Sequence, residues 1–390
     1  HKLQEGARQL LLSGILIHNP ENIYYYTSIY PHEPSFFIVP PAGEPLLIAP
    51  RSIYTQARKE CLIPVVPGEL DIAQTAYEKM LLTGVLKPPP STALKSFIRK
   101  IGESPLGIEQ NYLTVFLLNK LRIRNQTDIS PLIMNMRSQK DSFEIQHIKN
   151  ACSIADQAMI ETRKAIKPGI SELELSGIFD AAAKAMGADE TKCKVRSGKN
   201  SALAYTSWMD EKLVKGPVLI DYGTRIRGYW SDITRMFYLG SEPDALFLKI
   251  YDFVLTARSR ALEVMNEGQS IYGPETVVRE VFREKGFEKY VVYTAGHGVG
   301  LEVHEPPVLN MPELDTRTEN NTTERQSFSS AFLLGKDDEN LFERGQIFAL
   351  EPGLYLQDFG VRVEDMVLIS NGPQMLSALP TTLEDIIIPC

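Results

Sequence analysis

Four carboxylates and one imidazole stand in short strand-like segments of this chain. Asp221 and Asp232 lie in "LIDYGTRIRGYWSDITRMF", His297 in "TAGHGVGLEVHEPP", Glu351 in "FALEPGLY" and Glu364 in "GVRVEDMVLI". Hard oxygen donors, one nitrogen donor and positions left open for water are what two adjacent divalent cations require. Any one of these residues alone says little, because an Asp at a strand end is more often a cap or turn residue. Together they are specific, since burying four carboxylates without cations is prohibitively costly. The set points to a dinuclear metal-dependent hydrolase.

The elements around these residues must bring them together. Asp221 and Asp232 flank a polar, Gly-containing stretch, Thr224 to Gly228. A β-hairpin there sets both carboxylates side by side on one face of a sheet. Glu351 and Glu364 repeat the device around Pro352, Gly353 and Gly360. His297 lies between Gly296 and Gly298, where backbone can approach a metal or substrate closely.

At 390 residues the chain is too long for one typical core and predicts two domains, 1–136 and 137–390. In the first part "GILIHN", "SFFIVPP", "PLLIAP" and "LIPVVPG" read as strands of a covered sheet, and residues 70–83 and 111–123 as helices. This alternation predicts a small α/β domain. In the second part Ile148, Ala151, Cys152, Ala155 and Met159 recur at helical spacing up to "IKPGIS". Ser171 with Glu174 forms a capping-box pattern, Leu175, Ile178, Phe179, Ala182 and Met186 mark a buried stripe, and Gly187 closes the helix. Further helices are expected over 243–265 and 274–285, which makes the second domain α+β with a mostly antiparallel sheet. Residues 309–343 are polar and weakly patterned, a lid or an insertion at the rim of the site.

Composition narrows the partners. The formal charge of −8 gives no electrostatic case for nucleic acid or an anionic membrane. No apolar run approaches the roughly 20 residues of a membrane helix, and no signal-peptide pattern opens the chain. The four cysteines (Cys61, Cys152, Cys193, Cys390) are far apart and are expected as reduced thiols in a cytoplasmic protein.

The motifs "IDYG", "GYWSDITR", "GHGVGLEVHEPP", "EPGLY" and "VRVED" resemble, in order and spacing, the pita-bread metallopeptidases: methionine aminopeptidase, aminopeptidase P, prolidase and the metal-free creatinase. The resemblance spans roughly residues 140–390, and the N-terminal part is similar to the creatinase-type α/β domain of the proline-peptidase branch. It implies a pita-bread catalytic domain of helices on a curved sheet, and a homodimer. It also implies two divalent ions, manganese or cobalt before zinc or iron, held by Asp221, Asp232, His297, Glu351 and Glu364. Asp232 would serve one ion, His297 and Glu351 the other, with Asp221 and Glu364 spanning them or completing opposite ends of the cluster. A water activated by the two ions would cleave the peptide bond before proline, as in an Xaa-Pro aminopeptidase or dipeptidase. Glu351 would shuttle the proton, His304 would bind the substrate carbonyl, and Arg362 would support substrate or the carboxylates.

One segment departs from the pattern. In "SGKNSALAYTS", Ala204 and Tyr205 stand where the family has Pro-His, and that histidine meets substrate. Tyrosine donates a hydrogen bond but carries no proton near pH 7. An alternative reading follows: a repurposed hydrolase or lyase acting on a small non-peptide amide or zwitterion, with Tyr205 in its substrate pocket. Thr234 and Arg235 are expected to brace the hairpin, and Tyr229 and Tyr355 to pack.

Overall fold

The protein was analysed as a computed structural model, which describes residues 1–31, 35–67, 92–113, 115–204, 210–311 and 340–390. The chain divides into two compact units, His1–Met134 and Asn135–Cys390.

The N-terminal unit is built on a six-stranded mixed sheet. Its strands are β1 (Ile15–Ile17), β2 (Phe36–Val39), β3 (Leu46–Ala49), β4 (Val65–Pro67), β5 (Leu106–Ile108) and β6 (Gln126–Asp128), in the order β4-β3-β2-β1-β5-β6. The four apolar runs of the sequence supply β1 to β4. β1 and β2 are buried along their whole length, as strands covered on both faces should be. Leu16, Ile38, Ile48 and Ile108 pack with Phe36, Leu94 and Leu106 in one core. The helix expected over 111–123 is present as Val115–Leu121, whereas the one over 70–83 lies outside the described residues.

The C-terminal unit combines helices with two five-stranded sheets. Helix Ser142–Arg163 opens on a capping box made by Asp141 and Glu144, and helix Glu172–Ala185 on one made by Ser171 and Glu174. Gly187 follows the second helix at φ 99°. The buried face of this helix holds Glu172, Leu175, Ser176, Phe179 and Ala183, so the expected stripe is corrected: Ile178 and Ala182 are only half-buried. Met186 is the C-cap, already beyond the last turn, and is exposed. Helices Ala245–Glu263 and Gly273–Glu284 occupy the two further expected ranges.

The first sheet contains β7 (Glu190–Ser197), β8 (Gly216–Ile226), β9 (Tyr229–Trp230), β10 (Ile233–Leu239) and β18 (Ile387–Ile388), ordered β18-β10-β8-β7 with β9 paired to β8. The second contains β11 (Gly296–Gly298), β12 (Glu305–Leu309), β13 (Ile347–Leu350), β16 (Asp365–Ile369) and β17 (Pro373–Met375), ordered β12-β11-β13-β16-β17. Between β13 and β16 a two-stranded hairpin, β14 (Gly353–Tyr355) with β15 (Gly360–Arg362), leaves the sheet. Apart from β10–β18, all these pairings are antiparallel. The stretch expected as a lid is anchored at both ends. Leu309 is buried in β12, and Phe342 N–H donates to the Gln269 carbonyl at 2.8 Å. Residues 312–339 lie outside the described residues.

Phe348 in β13 is fully buried and meets Phe342 edge-on, with ring centroids 5.3 Å apart. Phe348→Ala is expected to cost about 3–5 kcal/mol in denaturant unfolding, the usual loss for emptying an aromatic core site. A cost under about 1 kcal/mol would show that β13 is not held by this core.

Candidate metal centre

Asp221 sits in β8 directly opposite Thr234 of β10. The turn joining these strands is tighter than Thr224–Gly228: Arg227 and Gly228, at φ 50° and 85°, link the paired Ile226 and Tyr229. Two successive positive φ values suit the right-handed twist of a hairpin. Asp232 lies one residue before β10. A Cβ on Gly223 would stand 2.1 Å from the Ser231 carbonyl oxygen, so only glycine lets the Ser231–Asp232 backbone cross there. That crossing carries the Asp232 carboxylate to the Asp221 side of the sheet.

His297 is the middle residue of β11, paired with Val308 on one side and Ala349 on the other. Its two glycines have a steric reason. A Cβ at Gly296 would meet the Ala349 oxygen at 2.0 Å, and one at Gly298 the Glu305 oxygen at 2.6 Å. Glu351 follows β13 and Glu364 precedes β16, whose neighbouring residues Leu350 and Asp365 are paired. The glutamates therefore stand at the base of the β14–β15 hairpin, not on its two strands as the sequence suggested.

The two sheets meet at this point. Thr234 and Glu364 form an isolated antiparallel bridge, with N–H to oxygen distances of 3.2 and 3.4 Å. The Thr234 hydroxyl donates to Glu364 Oε2 at 2.6 Å. All five expected ligands converge in overlapping triads whose donor atoms lie within 4.8 Å of one another: Asp221–Asp232–Glu364, His297–Glu351–Glu364 and Asp232–His297–His304. The first two share Glu364.

The donor chemistry fits divalent cations. His297 Nδ1 donates to the Gly298 carbonyl at 3.0 Å, and burial together with His304 lowers its pKa to about 3. The ring is thus neutral, and the lone pair of Nε2 faces Glu351 Oε1 at 3.5 Å and Asp232 Oδ2 at 3.8 Å. Electron pairs aimed at one another are repulsive unless a cation or a proton lies between them. Asp221 Oδ1, also buried, has no hydrogen bond of good geometry and faces the Lys192 ammonium at 3.3 Å.

Burial, opposed by Arg362 and reinforced by Asp232 and Asp221, raises the Glu351 pKa to about 8. Burial and the carboxylates of Asp232 and Glu351 push Glu364 well up. Burial also raises Asp232, against the pull of Lys192. At Asp221 burial is outweighed by Lys192, Arg362 and Arg196, which hold it well below the usual carboxylate range.

Arg362 braces the cluster. Nε donates to the Thr234 hydroxyl at 2.9 Å, Nη1 to the Tyr293 and Tyr355 hydroxyls at 3.0 and 3.3 Å, and Nη2 to Asp221 Oδ2 at 2.5 Å. His304 sits on the solvent side, its ring 4.2 Å from that of His297. Arg235 braces the hairpin as expected, reaching the Glu364 carbonyl at 2.7 Å and the Asp365 carboxylate at 2.7 Å. Tyr229 is buried and donates to Glu144 at 3.0 Å, away from the cluster. Tyr205 lies outside the described residues.

Sequence reasoning passed over Lys192 and Tyr293, and treated Thr234 as a brace when its hydroxyl also orients a carboxylate of the cluster. Lys192 Nζ lies 3.1 and 3.4 Å from the Asp232 oxygens and 3.3 Å from Asp221 Oδ1. A signal for it was present: Lys192, Lys194 and Arg196 alternate along β7 on the face that Asp221 shares.

The sequence profile of metallopeptidase family M24 matches residues 146–371, and that of the creatinase/prolidase N-terminal domain matches residues 1–139. Fold and donor set together define a metallopeptidase with a creatinase-type N-terminal domain and a pita-bread catalytic domain. The chain belongs to metallopeptidase family M24. It is 29% identical over 381 residues to an Xaa-Pro dipeptidase of Pyrococcus furiosus, covering 96% of each chain. The prolidase of Pyrococcus horikoshii OT3 superposes with a TM-score of 0.81 at 27% identity, covering 98% of each chain. An X-Pro aminopeptidase of Thermotoga maritima shares the fold, with a TM-score of 0.76 at 24% identity over 98% of this chain and 100% of that one.

A pH prediction follows from the raised carboxyls. A carboxyl raised from 4.5 to about 8 stabilises the fold while protonated in both states, and that contribution is lost as pH rises to 8. The depressed histidines act oppositely, but only below their ordinary pKa of 6.5. In EDTA the unfolding free energy should therefore fall between pH 6.5 and 8, by at most about 1.4 kcal/mol per pH unit for each carboxyl, and the melting temperature with it. Mn²⁺ should restore more stability at pH 8 than at pH 6.5. A flat profile with and without Mn²⁺ would contradict this electrostatic account.

Proposed function

We propose that this protein hydrolyses the peptide bond preceding proline in small peptides, as an Xaa-Pro dipeptidase or aminopeptidase. The observation that carries this reading is the convergence of Asp221, Asp232, His297, Glu351 and Glu364 from two sheets onto one cluster. Those five residues, an oxygen-rich set that suits several metals, would hold two divalent ions, with manganese or cobalt favoured by the family resemblance. When bound, such ions supply Lewis acidity, polarising a carbonyl and making water nucleophilic near neutral pH. The names of the relatives favour peptide substrates over the non-peptide amide or zwitterion.

The chain's own residues then have distinct work. A Glu351 carboxylate oxygen accepts the proton of the attacking water and returns it to the departing proline nitrogen. His304, beside His297 on the solvent side, donates a hydrogen bond to the substrate carbonyl oxygen as negative charge develops there. Arg362 keeps Asp221 in place and, at 3.9 Å, restrains Glu351 electrostatically. Tyr205 is assigned to substrate binding, where its hydroxyl would replace an imidazole donor. We assign the catalytic domain to residues 137–390, and infer a cytoplasmic homodimer, with neither nucleic acid nor membrane as partner.

Protein loaded with Mn²⁺ or Co²⁺ should cleave Xaa-Pro dipeptides or Xaa-Pro-Yaa peptides. No turnover of either class with metal bound would shift the assignment to the non-peptide substrate. Glu351→Gln should lower kcat by about 10²–10⁴-fold, the range of a lost general acid–base group, with the circular dichroism spectrum unchanged. Near-normal turnover would remove Glu351 from the proton path.

A further inference from the structure

One charged side chain at the centre has no part in the proposed reaction. Lys192 projects from β7 into the carboxylate cluster. Its place is fixed by the register: β7 pairs with β8 over eight residues, setting Lys192 opposite Gly223 and Lys194 opposite Asp221. Gly223 is also where the Ser231 carbonyl crosses, so the backbone that delivers Asp232 passes beside the Lys192 stem. The ammonium ends 3.1 Å from Asp232 Oδ1 and 3.3 Å from Asp221 Oδ1.

We propose that Lys192 is a resident cation of the metal centre, sharing the Asp221–Asp232 side of the cluster with one of the two divalent ions. This rests on the metal-dependent reading above and makes the two ion positions unequal. The position formed by His297, Glu351 and Glu364 binds tightly, and the one at Asp221 and Asp232 fills only when the ammonium is pushed aside.

Two further observations support the asymmetry. Both oxygens of Asp221 already face cations, Oδ1 the Lys192 ammonium and Oδ2 the Arg362 guanidinium. Glu351 has no such close cation: Arg362 is 3.9 Å away, and His297, at 3.5 Å, is neutral. The charge balance points the same way. Lys192 and Arg362 directly offset two of the four carboxylates, and Arg196 adds positive charge from further off, so a single divalent ion already neutralises what remains. A second ion brings excess positive charge into a buried site, where repulsion is weakly screened.

The test is Mn²⁺ titration of EDTA-stripped protein by calorimetry and equilibrium dialysis, with electron paramagnetic resonance as a second readout. Wild type should take one tight equivalent and a second weaker by on the order of 100-fold, as expected when a unit charge a few ångströms away competes for the site. At one equivalent its resonance should be that of an isolated Mn²⁺. Lys192→Met should bring the two affinities within about tenfold and give a spin-coupled pair at two equivalents.

Lys192→Gln serves as the second variant should the methionine disturb folding, and the change in the ratio of the two affinities on substitution is the deciding readout. A pair of affinities, equal or unequal, that both variants leave unchanged would overturn the role of Lys192 while leaving the metal-dependent reading intact. No Mn²⁺ bound by wild type or either variant would overturn both.

Discussion

Buried like charge is the constraint on which the C-terminal unit depends. Asp221, Asp232 and Glu364 are buried, with Glu351 nearly so, around one point where two sheets meet. Water solvates such carboxylates far better than protein does, so the fold must supply protons or cations in its place. The raised pKa values of Glu351 and Glu364 are the proton answer, and the donor triads around Glu364 are the cation answer. A centre poised between these two states binds metal at the expense of protons, which couples ion binding to pH.

The surrounding architecture enforces that convergence through backbone approaches that no side chain would allow. Gly223 lets the chain deliver Asp232 past β8, and Gly296 and Gly298 let β11 lie close against the Ala349 and Glu305 backbones. The Thr234–Glu364 bridge then ties the hairpin that carries the aspartates to the sheet that carries the histidine and glutamates. Arg362 and Arg235 lock the joint from either side, one on Asp221 and the other on the Glu364 carbonyl and the Asp365 carboxylate. A lattice of hydrogen bonds to charged groups holds such ligands within a narrow range of positions, which the chemistry of a metal site requires.

Much of this was legible in the sequence because its signals are local. Apolar runs bounded by Pro and Gly gave β1 to β4, and capping-box residues gave the starts of two long helices. The five cluster residues were recognisable because each sits in a short motif with its own glycine or turn. What escaped was set by long-range register. The contact of Lys192 with Asp232 spans 40 positions and that of Thr234 with Glu364 spans 130, so strand pairing between distant segments decides them. Met186 was misplaced for the opposite reason: the helical period continued on paper one residue past the point where Gly187 ends it. The Glu351–Glu364 pair was read as a hairpin face, but the excursion between them carries its own small ladder, β14 with β15.

The central claim is that these side chains gather to hold divalent cations. Anomalous diffraction at the manganese edge, from crystals soaked in Mn²⁺, tests it most directly. The account predicts anomalous density within the triads that meet at Glu364, bonded to His297 Nε2 and to carboxylate oxygens. Crystals that bind no manganese there, with the five side chains pointing apart around solvent, would contradict it.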